Sequence, residues 1–311
     1  MASIAVLVPC YNEEATVAQV VADFRSALPD ASIYVFDNNS SDRTIEVARE
    51  AGAIVRSETR QGKGNVVRRM FADIEADIYL LVDGDATYEA AAAPKLIAKM
   101  QSEGLDFVNG VRKSEGKSGY RPGHRLGNAV FTGMVKTFFG AEVQDILSGY
   151  KVLSRRFVKS FPALSGGFEI ETELTVHALE LGMPVGHVDT IYVDRPEGSA
   201  SKLSTFKDGW RILRVIAQLI RDERPMQFFF GLGLVLILFS IGIAWPIFVE
   251  FFRTGLVPRL PSAVLSVALT LSGLLAFACG LILDTTTRGR REMKRLAYLS
   301  LKGPDSGGHN G

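Results

Sequence analysis

An α/β protein with a mostly parallel sheet, followed by two membrane-spanning helices, is the fold class that the 311-residue sequence predicts. Three observations carry it. Strand-like and helix-like segments alternate through the first 110 residues, polar clusters end three of those strands, and two long stretches near the C-terminus hold no charge. Strands alternating with helices of about 10–15 residues make βαβ units, and hence a parallel sheet.

The elements follow in order. Ser3 to Val8 is apolar and rich in β-branched residues, and Asn12 to Ala27 has a helical period. A second strand, Ser32 to Phe36, leads to a helix from Asp42 to Ala51 closed by Gly52. A third strand, Ala53 to Val55, precedes a helix from Gly64 to Ala76, and a fourth runs from Ile78 to Val82. The polar clusters are Pro9 to Glu14, Asp37 to Asp42, and Asp83-Gly84-Asp85. Ser41 or Asp42 alone would cap the second helix, which leaves most of that cluster without a structural reason. Ligands of open α/β sheets sit outside the carboxyl ends of the strands, so the clusters mark one edge as a site. Residues 112 to 128 are polar and glycine-rich and read as a loop near it.

The uncharged stretches run from Gln227 to Val249 and from Pro261 to Leu283, 23 residues each. As helices they reach roughly 35 Å, enough for a bilayer core of about 30 Å. Six Lys/Arg lie between Lys202 and Arg224 and six between Arg288 and Lys302, against Arg253 and Arg259 in the connecting loop. That asymmetry predicts a multi-pass hairpin in the cell membrane with residues 1 to about 225 and both termini cytoplasmic. Between Thr205 and Arg221, Trp210, Ile212, Leu213, Ile216, Leu219 and Ile220 interleave with Lys207, Arg211, Arg214 and Arg221. The pattern is that of a basic amphipathic helix at a membrane surface, or of an amphipathic helix packed on the soluble domain. The expected division is a soluble domain over 1–204, a juxtamembrane helix over 205–225, the hairpin over 226–287 and a basic tail over 288–311.

Composition excludes several classes. Lys+Arg (35) nearly cancels Asp+Glu (34), so the basic excess of a nucleic-acid binder is missing. Cys10 and Cys279 form no disulfide framework or metal-ligand spacing, which fits a reducing compartment. Ile4 to Val8 is short, has no basic residue before it and ends at Pro9, so it reads as a strand and not a leader. The segment Arg60 to Asn65 lacks the G-x-x-x-x-G-K-[ST] order, and Val67 stands where G-x-G-x-x-G needs its last glycine. P-loop and dinucleotide-binding chemistry are therefore poor fits, although Lys63 at a helix start can still offer charge to a diphosphate.

The acidic pair has its own logic. A half-buried carboxylate pair is costly unless it coordinates something, and Gly84 lets both aspartates face one crevice. A few hard oxygen ligands suit Mg²⁺ or Mn²⁺, which keep other positions for water and phosphate oxygens. A lone D-x-D is often only a surface turn. Here it ends the buried-strand sequence Tyr79-Leu80-Leu81-Val82 beside two other polar strand ends, and points to a metal–diphosphate site.

The segments VLVPCYNEE, FDNNSSDRT, RQGKGN, LLVDGDATY, VNGVR, QDILSGYKVLSRR and FEIETEL follow one another with the order and spacing of family 2 glycosyltransferases of the GT-A fold. Over about residues 3 to 210 the chain resembles the dolichol- or polyprenyl-phosphate hexose synthase branch. The resemblance implies a GT-A nucleotide-diphospho-sugar transferase fold and a metal-dependent, inverting transfer. A hexose (glucose, N-acetylglucosamine or mannose) would pass from a UDP- or GDP-linked donor to a polyprenyl phosphate. By resemblance, Pro9, Tyr11, Glu13 and Asp37 form the nucleoside pocket, Lys63 lies near the diphosphate, and Asp83, Gly84 and Asp85 are the D-x-D, with Asp85 the metal-ligating member. Arg112 and Arg125 resemble the residues that hold the acceptor phosphate, and Asp145 the acidic residue near the reacting centre.

Arg195 to Lys202 resembles the family's R-x-x-G-x-S-K loop, with Ala200 between two serines, so that Ser201-Lys202 matches its end. Glu169, Glu171 and Glu173 are rival acids, more readily read as a solvated helix start favoured by the helix dipole. His124, His177 and His187 lack ligand spacing and are expected to be structural. A lipid phosphate acceptor would give the membrane segments a purpose, and their apolar surface allows self-association. The alternatives are a processive polysaccharide synthase, against which the absence of Q-x-x-R-W speaks, and a non-catalytic membrane-anchored scaffold subunit.

Overall fold

The computed structural model describes residues 2–114, 144–167, 169–193, 221 and 224–303. The chain splits into two compact units, Met1–Gly209 with Met293–Gly311, and Trp210–Glu292.

The first unit is built on a seven-stranded sheet of β1 (Ile4–Cys10), β2 (Ser32–Asp37), β3 (Ile54–Ser57), β4 (Ile78–Leu81), β5 (Phe107–Ser114), β6 (Lys151–Ser154) and β7 (Val185–Tyr192). Their order is β3-β2-β1-β4-β6-β5-β7. β6 alone among them runs antiparallel to both neighbours. The helices are α1 (Val17–Ala27), α2 (Thr44–Glu50), α3 (Lys63–Asp73), α4 (Ala93–Glu103), α5 (Arg155–Ser160) and α6 (Ile170–Leu181).

Side chains of period 2 divide this sheet between two cores. Val6, Val8, Ile33, Val35, Ile78, Leu80 and Val152 pack with α1 and α4 residues such as Phe24 and Leu96. Ala5, Leu7, Phe36, Tyr79, Leu81, Phe107 and Leu153 pack with α3 and α6 residues such as Met70 and Leu174. Burial on both faces explains why the strands read as continuous apolar runs.

The expected elements over residues 3–82 are present, and their ends shift. α1 starts at Val17 and not Asn12, because Asn12 adopts a left-handed φ of 53° and its side chain accepts from Ser41 N–H. β5 reaches Ser114 by pairing with β7, so Arg112, expected in a loop, is a strand residue. The rest of that loop, including His124 and Arg125, lies outside the described residues, as do Arg195–Lys202 and the expected amphipathic segment to Ile220.

The second unit holds α7 (Pro225–Thr254) and the first part of α8 (Leu260–Leu299). Both helices are long and apolar enough to cross a membrane. Within their apolar stretch the Ser240 hydroxyl donates to the Ser266 carbonyl at 2.6 Å and meets Thr270 Oγ1 at 2.8 Å, which satisfies polar groups that lipid cannot. α8 does not give way to a tail at residue 288. It continues to Leu299, and residues from Met293 onward group with the sheet unit. Tyr298 there donates to the buried Asp106 at 2.8 Å, and Lys294 reaches Glu180 at 2.8 Å. Those partners give the helix a reason to persist beyond the apolar stretch.

Candidate active site

The strand directions bring the polar segments together. Since β1, β2, β4, β5 and β7 run one way and β6 the other, one edge of the sheet receives Pro9–Glu13, Asp37–Asn38, Asp83–Asp85, Arg112, Tyr192 and the Asp145–Tyr150 turn. At that edge lies a cavity of about 420 Å³ lined by Pro9, Cys10, Tyr11, Glu13, Asn38, Lys63, Asp83, Gly84, Asp85, Tyr88, Arg112, Glu171 and Tyr192, among others. Its size is in the range of small-ligand sites.

Gly84 allows a close approach of two strand ends. A β-carbon there would come within 2.6 Å of Cys10 Sγ, on the adjacent strand end. Its carbonyl accepts from Thr16 Oγ1 at 2.7 Å, which ties the acidic turn to α1. Beside it, Asp85 is buried and its Oδ1 accepts from the Thr87 hydroxyl at 2.6 Å, across the left-handed Ala86 (φ 55°). Non-glycine residues hold such a φ only where the surroundings impose it.

Lys63, first residue of α3, is enclosed between two carboxylates. Its Nζ lies 2.5 Å from Asp83 Oδ1 and 2.5 Å from Glu171 Oε1. Burial disfavours its charge, but the two carboxylates outweigh that and raise its pKa above the ordinary lysine value, so it is an ammonium. Glu171 is buried, so of the three acids read as rivals or as a solvated helix start, this one is not solvated. The sequence carries no signal for this, because the partner is 108 positions away.

Arg112 also lines the cavity, and Asp145, which is not among the lining residues, pairs with it. The guanidinium makes a two-pronged pair, Nε to Oδ2 at 2.8 Å and a terminal nitrogen to Oδ1 at 2.6 Å, with Arg112 N–H adding a third contact at 3.0 Å. Burial by itself would raise the Asp145 carboxyl; the Arg112 contacts overcome it and hold the group below the usual carboxylate range. Arg112 also lies 5.4 Å from the Tyr192 ring centroid, a cation–π distance.

Of the other expected nucleoside residues, Pro9, Tyr11 and Glu13 line the cavity. Asp37 is buried just beyond it, and its Oδ1 has no hydrogen-bond partner among the described residues. Asn38 is a lining residue given no role from sequence. Its amide donates to the Glu58 and Arg60 carbonyls and accepts from Gly62 N–H, so it folds the loop that delivers Lys63. Arg125, Ser201 and Lys202 fall outside the described residues. His177 is buried among Phe157 and Phe161, away from the cavity, and burial lowers its pKa to about 3, in keeping with a structural role.

A metal fits this donor set. Asp83 and Asp85 supply hard carboxylate oxygens to one cavity, too few for an all-protein cage and of the number that leaves room for phosphate oxygens.

Comparison with known proteins agrees with the geometry. The glycosyl transferase family 2 model matches residues 5–161. Glycosyltransferase AglJ of Haloferax volcanii is 33% identical over 304 residues, covering 96% of this chain and 98% of that protein. A dolichyl-phosphate hexose transferase of the same organism is 27% identical over 221 residues, 71% of this chain and 95% of that one. Among solved structures, glucosyl-3-phosphoglycerate synthase from Mycobacterium tuberculosis, in complex with Mn²⁺, UDP-glucose and phosphoglyceric acid, superposes with a TM-score of 0.55 at 24% identity, over 70% of this chain and 79% of that one. The family model and the near full-length relative, together with a cavity built from the expected strand ends, place the chain in glycosyl transferase family 2, and it is a glycosyltransferase.

Proposed function

We propose that this glycosyltransferase moves a hexose (glucose, N-acetylglucosamine or mannose) from a UDP- or GDP-linked donor to a polyprenyl or dolichyl phosphate, with inversion. The observation that carries the reading is the union in one chain of a carboxylate-and-cation cavity with two helices able to cross a membrane. The relative named as a dolichyl-phosphate hexose transferase supports the acceptor class, and the neighbour bound to Mn²⁺ and UDP-glucose supports the donor class. Lys/Arg flanking the hairpin support a cytoplasmic sheet unit and cytoplasmic termini.

Asp83 and Asp85 would hold Mg²⁺ or Mn²⁺. When bound, that ion supplies positive charge to the leaving diphosphate. Pro9, Tyr11, Glu13 and Asp37 would receive the nucleoside; Asp37 Oδ1, without a partner among the described residues, suits a donor on base or ribose. Lys63 keeps an ammonium beside the diphosphate position, and Arg112, with Arg125, Ser201 and Lys202, would face the acceptor phosphate. That phosphate is already an anionic nucleophile, so positioning matters more than proton removal. Asp145 then orients Arg112 and is not required to act as a base.

Release of nucleoside diphosphate from a panel of UDP- and GDP-sugars, with Mn²⁺ and with or without a short polyprenyl phosphate, tests the proposal. Lipid-dependent release from one donor, yielding one sugar per lipid, is expected. A polymer would support the processive alternative, and donor binding without lipid-dependent release would remove the lipid acceptor.

A further inference from the structure

Beneath the Asp145 turn lies a charged residue that the reading above does not use. Lys151, first residue of β6, is fully buried. Its Nζ donates to Asn109 Oδ1 at 2.9 Å and, at 3.4 Å, to the Ile146 carbonyl. Asn109 is its register partner on β5. The amide nitrogen of Asn109 donates in turn to the carbonyls of Gln144 (2.8 Å) and Asp145 (3.0 Å). Three consecutive carbonyls, 144 to 146, are thus held by one two-residue device, and the residue at their centre has the left-handed φ of 49°.

We propose that Lys151 and Asn109 are positioning residues whose task is to hold the Asp145 turn, and through it the Asp145–Arg112 clamp on the cavity wall. The chemistry is directional. An asparagine amide between an ammonium and two carbonyls has one acceptable orientation, with oxygen towards the cation and NH₂ towards the carbonyls. Lys151 therefore locks the amide, the amide locks the turn, and the turn opposes the cost of a non-glycine left-handed residue. Asp145 is then presented with both oxygens towards Arg112. A lysine in a core is costly to bury without a carboxylate partner, and a leucine or methionine would fill the space more cheaply, so its presence calls for a role such as this one. The inference rests on the assignment of Arg112 to the site.

The test uses the full chain in detergent micelles. In Asn109→Ala, kcat/KM for sugar transfer falls on the order of 100-fold while UDP or GDP affinity is unchanged, since the nucleoside side of the cavity is untouched. In an Arg112→Ala background the same substitution costs nothing further, because both act through one group. Independently of any acceptor, the Arg112 Nε–H, followed by nitrogen NMR of arginine-labelled protein, exchanges with solvent faster in Asn109→Ala. Lys151→Met gives the same loss of protection and of transfer without a lower Tm, and supplies the readout should Asn109→Ala fail to fold. Unchanged Arg112 exchange, or losses that multiply in the double variant, overturns the proposal. Wild-type protein that protects Arg112 yet transfers to no polyprenyl phosphate sinks the functional reading and leaves this one standing.

Discussion

Gly149 lies so close to Asp83 that a β-carbon on the glycine would overlap the aspartate's carboxylate. The same glycine N–H donates to the Tyr88 hydroxyl at 2.7 Å, so its backbone cannot retreat without breaking a buried bond. Gly149→Ala must therefore push Asp83 off Lys63 or shift the turn. Overpacking of this kind costs about 1–3 kcal/mol, and if it falls on a group that binds the diphosphate, transfer drops by at least about tenfold. Steady-state transfer kinetics beside a thermal melt check this. Activity at the wild-type level would show that Asp83 is not held where catalysis needs it.

Lys63 is the common counter-charge of Asp83 and Glu171. Removing one member of a buried ionic cluster leaves the others uncompensated, at about 3–5 kcal/mol. Lys63→Met is expected to lower Tm strongly, and Lys63→Met with Glu171→Gln to recover part of the loss, because one of the stranded charges is gone. Neither form should transfer sugar. Melts of the single and double variants in the same detergent decide it, and a double variant less stable than Lys63→Met alone would contradict the shared-counter-ion account.

Much of this site was legible in the sequence, for a definite reason. β1, β2 and β4 are short buried strands that each break into polar residues, and a parallel sheet puts such breaks at one edge. Pro9, Tyr11, Glu13, Asp83 and Asp85 could be gathered from that rule alone. What was not legible depends on long-range pairing. Glu171 looks like a helix-start acid until Lys63 meets it, and nothing in the sequence singles out Lys151 until β4 and β5 pair with its strand on either side. The run-on of α8 past residue 288 was hidden for a related reason. Its charged residues read as a solvated tail, and only the fold supplies Asp106 and Glu180 as partners.

Metal removal is the third test. With Asp83 and Asp85 as the protein's oxygen ligands, chelation by EDTA should abolish transfer, and Mn²⁺ or Mg²⁺ should restore it. Asp85→Ala should remove that restoration, with a thermal melt showing that the fold is retained. Full activity in EDTA, or in Asp85→Ala, would exclude the metal role assigned to this turn.

The last prediction concerns Lys151 and pH. Burial, the largest influence, lowers its pKa from 10.5 to about 8, with Glu171 and Asp145 pulling it up and Lys63 and Arg112 pushing it down. Between those two values the unfolded chain carries a proton on Lys151 that the folded protein does not, so this group's contribution to stability rises with pH across that window. Below about pH 8 both states hold the proton, and the cost of burying the charge, roughly 3 kcal/mol, is present in full. Lys151→Met lacks that cost. Its Tm should exceed the wild-type value most at or below pH 8, and the two curves should converge as pH approaches 10.5. A gap that does not change with pH would mean that Lys151 stays charged in the fold. A wild-type protein more stable than the variant at pH 7 would mean that its hydrogen bonds outweigh its desolvation. The expected result, a variant more stable and less active, is the signature of a residue kept for the geometry of the site at the expense of stability.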